Sequence, residues 1–122
     1  MRKFALLGLI LLASTASASQ WKLINNGSAI SDGKLTISHL NGHYKIKYSG
    51  DVNPRSASLL IDGDVIYGNE PYGFSGIYGD GVVKRLLLAS EATANYDDRF
   101  RTKPSHEKIE LESLRATIEK LK

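Results

Sequence analysis

Apolar and polar residues alternate along this chain in short runs, and two pairs of runs fold back on an Asx-Gly dipeptide. Lys34–Leu40 and His43–Tyr48 flank Asn41-Gly42, while Ala57–Ile61 and Asp64–Tyr67 flank Asp62-Gly63. A two-residue type I′ turn needs positive φ at both central positions, which Asn or Asp followed by Gly tolerates, so both segments predict β-hairpins. In the first hairpin the turn pairs Leu40 with His43, His39 with Tyr44, Ile37 with Ile46 and Leu35 with Tyr48. Leu35, Ile37, His39, Tyr44, Ile46 and Tyr48 then share one face, opposite a polar face of Thr36, Ser38, His43, Lys45 and Lys47. Turn chemistry and alternation select the same register. In the second hairpin Leu60 pairs with Val65, Leu59 with Ile66 and Ser58 with Tyr67. Both of its faces are apolar, Leu60/Val65/Tyr67 and Leu59/Ile61/Ile66, which predicts a hairpin covered on two sides at the centre of the fold.

The other segments arrange themselves around these hairpins. Trp21–Ile24 reads as a first strand closed by Asn25-Asn26-Gly27, and Gly50–Ser56, with Asn53-Pro54, as an extended connection. Gly68–Gly81 is rich in glycine and tyrosine and reads as a loop. Val82–Ser90 fits a short helix with Val83, Leu86, Leu87 and Ser90 on one face and Asp80 as its cap. Glu91–Tyr96 suits a strand, with Asp97-Asp98 turning into Arg99–Lys103. The tail has two readings. Leu111, Leu114, Ile118 and Leu121 fit one amphipathic helix starting near Ser105; alternatively Lys108–Leu111 alternates as a strand and a shorter helix begins near Ser113.

Arg2-Lys3, the apolar run Phe4–Ala13 and the small residues ending in Ala16-Ser17-Ala18 form a secretory signal peptide, residues 1–18. The apolar run falls short of the roughly 20 residues a membrane span needs, so no stable membrane anchor is expected after cleavage. Cleavage also removes two of the 16 basic residues, leaving 14 against 13 acidic ones. A net charge near +1 gives no case for a nucleic-acid partner. The absence of cysteine leaves an exported chain without disulfides, held by packing alone. A periplasmic destination is expected, with an extracellular one as the alternative. Residues 19–122 are predicted to form a single, mainly β domain. Its architecture would be an antiparallel β-sandwich or barrel with one short internal helix and a C-terminal helix.

A hairpin carrying Leu60-Ile61-Asp62-Gly63 is followed by Val83-Lys84-Arg85-Leu86-Leu87, and Ile109-Glu110-Leu111 leads into Leu114, Ile118 and Leu121. This order, over residues 57–121, resembles the small exported β-sandwich domain of the VasI/TagO type, accessory proteins linked to type VI secretion. The resemblance implies a non-enzymatic role, no cofactor, and a tail that is a strand followed by a helix. Such domains often carry a cysteine pair, which this chain lacks.

Candidate chemistry is sparse. His39 and His43 point to opposite faces of their hairpin, so they cannot jointly bind a metal; His39 is expected beside Tyr44, and His43 in solvent. Gly73-Phe74-Ser75-Gly76 is half of a G-x-S-x-G elbow with Ile77 in place of the last glycine, and a Ser75–His–Asp80 set has no support from spacing. Gly79-Asp80-Gly81 satisfies neither nucleotide-binding fingerprint. Tyr67, Tyr72, Phe74 and Tyr78, interleaved with glycine, offer rigid rings on an adaptable backbone, suited to an envelope protein or a cell-wall polymer. Arg99, Arg101 and Lys103 would add a basic stripe along a strand. The alternative function is a small cell-wall hydrolase using Glu70 and Asp80, which requires the two carboxylates to face one cleft about 5–10 Å apart.

Overall fold

The computed structural model describes residues 19–50, 52–53, 55–97 and 104–122; the predicted signal peptide and the segment carrying Arg99, Arg101 and Lys103 lie outside them. The chain forms two antiparallel sheets that face each other and do not close into a barrel, as expected of a sandwich. The first sheet contains β1 (Lys22–Ile24), β2 (Ala29–Ser31), β3 (Leu35–Leu40), β4 (His43–Tyr48) and β7 (Gly73–Phe74), in the order β1-β2-β3-β4-β7. The second contains β5 (Ser58–Ile61), β6 (Asp64–Ile66), β8 (Ala92–Asp97) and β9 (Pro104–Lys108), in the order β6-β5-β8-β9. Two helices complete the fold, α1 (Gly76–Leu88) and α2 (Leu111–Ile118).

The first hairpin has the register that its sequence dictates, from Leu40 opposite His43 to Leu35 opposite Tyr48. Asn41 and Gly42 take φ values of 53° and 83°, and Asp62 and Gly63 take 47° and 89°, as type I′ turns require. Asp62 also acts beyond its own turn. Its Oδ1 accepts the N–H groups of Ser90 and Glu91 at 2.9 and 3.0 Å, tying the turn to the exit of α1. Across the first sheet Ile30 pairs with Ile37, Ile37 with Ile46 and Ile46 with Phe74, giving one inward row of fully buried side chains. The second sheet meets it with Leu59, Ile61, Ala92, Ala94 and Tyr96.

Three expectations are corrected. The second hairpin is covered on one side only. β6 is an edge strand, Val65 and Tyr67 are 54% and 63% exposed, and only the Leu59/Ile61/Ile66 face turns inward. In a two-layer fold each sheet has one buried face, so apolar residues on both faces leave an outward apolar patch. The internal helix begins at Gly76, six residues before the sequence suggests, so that Asp80 lies within it and not at its cap. Gly76, Gly79 and Gly81 are poor helix formers; Gly76 opens the helix with a φ of 63°, and of the three only Gly79 lies against another element, at Tyr44 and Phe74. In the tail, a strand precedes a helix, but the strand is Pro104–Lys108 and the helix starts at Leu111. The short strand β2, across the Asn25–Gly27 turn from β1, has no counterpart in the sequence reading.

The helices close the open side of the sandwich. Val82, Val83 and Leu86 of α1, and Leu111, Leu114 and Ile118 of α2, join the same core as Trp21. α2 is sewn to the start of the described chain: Ser113 Oγ accepts the Trp21 N–H at 2.8 Å, and the Lys122 N–H reaches Gly27 O at 2.9 Å. α1 lies directly against β4, where a Cβ on Gly79 would sit 2.5 Å from Tyr44 O, whereas one on Gly81 would meet nothing. Gly79→Ala should therefore cost about 1–3 kcal/mol through forced displacement of the helix. Gly81→Ala should stabilise by about 0.5–1 kcal/mol through helix propensity. Urea unfolding of the two variants checks both signs.

Candidate functional site

The glycine- and tyrosine-rich segment is a built structure. Glu70 and Gly73 exchange backbone hydrogen bonds, turning the chain at Pro71 and Tyr72, and the Tyr48 N–H donates to Tyr72 O at 2.8 Å. The Asn69 side chain clamps the far end, accepting from Ser75 N at 2.9 Å and donating to Ser75 O at 3.2 Å. A Cβ on Gly73 would collide with Ile46 O, so glycine is what lets β7 lie this close to β4.

This geometry separates the four predicted recognition rings. Phe74 is fully buried and sits beside both Tyr48 and Tyr78, at centroid distances of 6.1 and 6.0 Å. It belongs to the core and presents no ring to a partner, because β7 pairs with β4 and turns alternate residues inward. Tyr67 and Tyr78 are 63% and 44% exposed, and the Tyr78 hydroxyl donates to Tyr67 O at 2.8 Å, bracing the loop against α1. Tyr72 is half-buried.

Between the two sheets, beneath this loop, lies a cleft of about 360 Å³. Tyr48, Arg55, Ala57, Tyr67, Glu70 and Pro71 line it. Tyr48 is 5% exposed, and its hydroxyl has no hydrogen-bond partner among the described residues. Burial drives its pKa well above the usual phenol value, so it stays a neutral donor and acceptor. Glu70 Oε2 is also buried without a hydrogen bond among the described residues, its ion-pair partner Lys45 Nζ standing at 3.9 Å. The sequence reading missed Tyr48 and Arg55 as lining residues. The available signal was a tyrosine at an inward position among aliphatics, where a hydroxyl needs somewhere to go.

A second feature lies at the junction of α1 and β4. Asp80 Oδ2 meets His43 Nδ1 at 2.7 Å, and Asp80 Oδ1 accepts the Tyr44 N–H at 2.7 Å. His43 is thus paired with a carboxylate, whereas the sequence placed it free in solvent. These two hydrogen bonds hold the Asp80 carboxyl below its ordinary value. Ser75 and His43 line one shallow cleft of about 240 Å³. No hydrogen bond joins the Ser75 hydroxyl to the imidazole among the described residues, and Ser75 has extended φ/ψ of −147° and 171°, without the strain of a nucleophile elbow. With both Asp80 oxygens engaged, the pair acts as a clamp between helix and strand edge. Glu70 lines both the 360 Å³ cleft and the hollow beside Lys45 and Lys47, while Asp80 is committed to this clamp.

His106 Nδ1 lies 2.8 Å from Asn95 Oδ1, and His39 rests edge-on to Tyr44. Among the described residues no group of three or more His, Asp or Glu could hold a metal ion, and no helix is long and apolar enough to cross a membrane. Comparison of the chain with protein-family models, with curated proteins and with solved structures gives no match.

The clamp has a pH signature. A carboxyl held below its ordinary value of 3.8 in the folded protein contributes stability above that value and loses it as pH falls through the folded value. Asp80→Asn keeps an acceptor for the Tyr44 N–H and removes the charge. Its melting temperature should be lower than that of the unmodified protein at neutral pH, and the gap should close between about pH 5 and pH 2, as followed by circular dichroism.

Proposed function

We propose that this protein is an exported, non-enzymatic binding or accessory protein of the periplasm that recognises an envelope protein or a cell-wall polymer. The observation that carries this reading is the exposed pair Tyr67 and Tyr78, with the Tyr78 hydroxyl donating to the Tyr67 backbone carbonyl and with Val65 and Ile77 close by in the chain, 54% and 81% exposed. Rigid, amphipathic rings beside apolar side chains are what recognition surfaces use, since little side-chain freedom is lost when they are covered. The β-sandwich with a strand-then-helix tail supports the same reading through its resemblance to VasI/TagO-type accessory domains. Of the two carboxylates of the hydrolase alternative, Asp80 has both oxygens engaged, by His43 and by the Tyr44 N–H.

The purified protein should co-sediment with the envelope fraction of its source. The double variant Tyr67→Ala/Tyr78→Ala should reduce that binding by at least about tenfold, the loss of one strong contact, with its circular dichroism spectrum retained. Undiminished co-sedimentation would remove the aromatic surface from the account. Covalent labelling of Ser75 by a fluorophosphonate, abolished by His43→Ala, would overturn the non-enzymatic reading.

A further inference from the structure

The cleft behind Tyr67 combines features that a cover for the core does not need. A buried hydroxyl without a partner is costly, and a phenylalanine in its place would relieve the cost, so its presence calls for an explanation. Tyr48 supplies this group from β4, in the layer opposite β5 and β6, and Glu70 Oε2 is a second buried acceptor without a hydrogen bond among the described residues. Tyr67 and Pro71 provide flat walls, Ala57 an apolar floor, and Arg55, exposed, a cationic donor at the rim. At about 360 Å³ the cleft is at the small end of ligand sites, which run from about 300 to 1,000 Å³.

We propose that this cleft, between β4, Arg55 and Ala57, the end of β6 and the Glu70–Gly73 turn, binds a neutral sugar ring. The inference rests on the binding reading above and names its ligand class. A pyranose matches the lining in three respects. Its flat C–H face suits Tyr67 and Pro71. Its hydroxyls donate to the Glu70 carboxylate and exchange with the Tyr48 hydroxyl, while its oxygens accept from Arg55. It carries no charge, which fits a site where Lys45 already stands 3.9 Å from Glu70 and a cationic ligand would meet that ammonium. An N-acetylated ring adds an acetamide carbonyl as a further acceptor for the phenol.

The test is a titration followed by backbone amide NMR shifts, using triacetylchitotriose, maltotriose and, as a contrast, trialanine. Saturable shifts with either sugar, centred on Tyr48, Tyr67 and Glu70, are expected, with none of that kind for the peptide. Tyr48→Phe should weaken sugar binding by about tenfold, the worth of one hydrogen bond, while its melting temperature stays the same or rises. Glu70→Gln, which keeps the shape of the side chain, should also weaken it. Absence of sugar shifts into the millimolar range, shifts with the peptide alone, or unchanged sugar affinity in Tyr48→Phe would each overturn the proposal. Envelope binding that still depends on Tyr78, which lies outside the cleft lining, would then leave the broader reading standing; loss of both would end both.

Discussion

The free edge of β4 is the constraint on which the structure depends. A strand edge exposes N–H and C=O groups that must be paired or covered. β7 pairs with β4 at only two positions, Ile46 with Phe74 and Lys47 with Gly73. Beyond them α1 takes over, with the Asp80 carboxylate receiving the Tyr44 N–H and Gly79 pressed against Tyr44 O. Backbone meets backbone along this line, so a side chain at Gly73 or Gly79 has no space. The placement of α1 follows from this contact, and with it the burial of Phe74 and the reach of Tyr78 to Tyr67.

The core has a matching logic. The inward row Ile30–Ile37–Ile46–Phe74 is aliphatic until its last member, where an aromatic ring fills the space under α1. Tyr48, also inward and next to Phe74, ends with a hydroxyl where the layers part. The same two-layer arrangement that buries one face of the second sheet leaves Leu60 and Val65 facing out, while Tyr67, just past the end of β6, lines the cleft. The apolar surface at this end is a consequence of architecture as well as a resource for recognition.

Where local rules and tertiary packing agree, the sequence was legible. Asn41-Gly42 and Asp62-Gly63 fixed two turns and, through strict alternation from Leu35 to Tyr48, a complete register. Where packing overrides propensity, it was not. Gly76, Gly79 and Gly81 argue against a helix locally, yet Gly79 permits the approach to β4 on which the helix is seated. Ala29–Ser31 is too short to alternate, so β2 left no pattern to read. For the candidate site, the exposure of Tyr67 was hidden by the apolar pattern on both faces of its hairpin, and the burial of Phe74 depended on a two-residue strand. The His43–Asp80 contact joins positions 37 apart in the chain, and nothing local announces such a pairing.

The seam between α2 and the first described residues bears on how the molecule is made. The first sheet arises largely from neighbouring hairpins, which form quickly because few loops must close. Trp21, in contrast, is fastened only when Ser113 and Thr117 are present, through bonds spanning 92 and 96 positions. A nascent chain emerging in order thus leaves the Trp21 end of this layer unfastened until residues 111–122 arrive. Residues 111–122 therefore act as the latch that fastens the β1 edge of the first sheet.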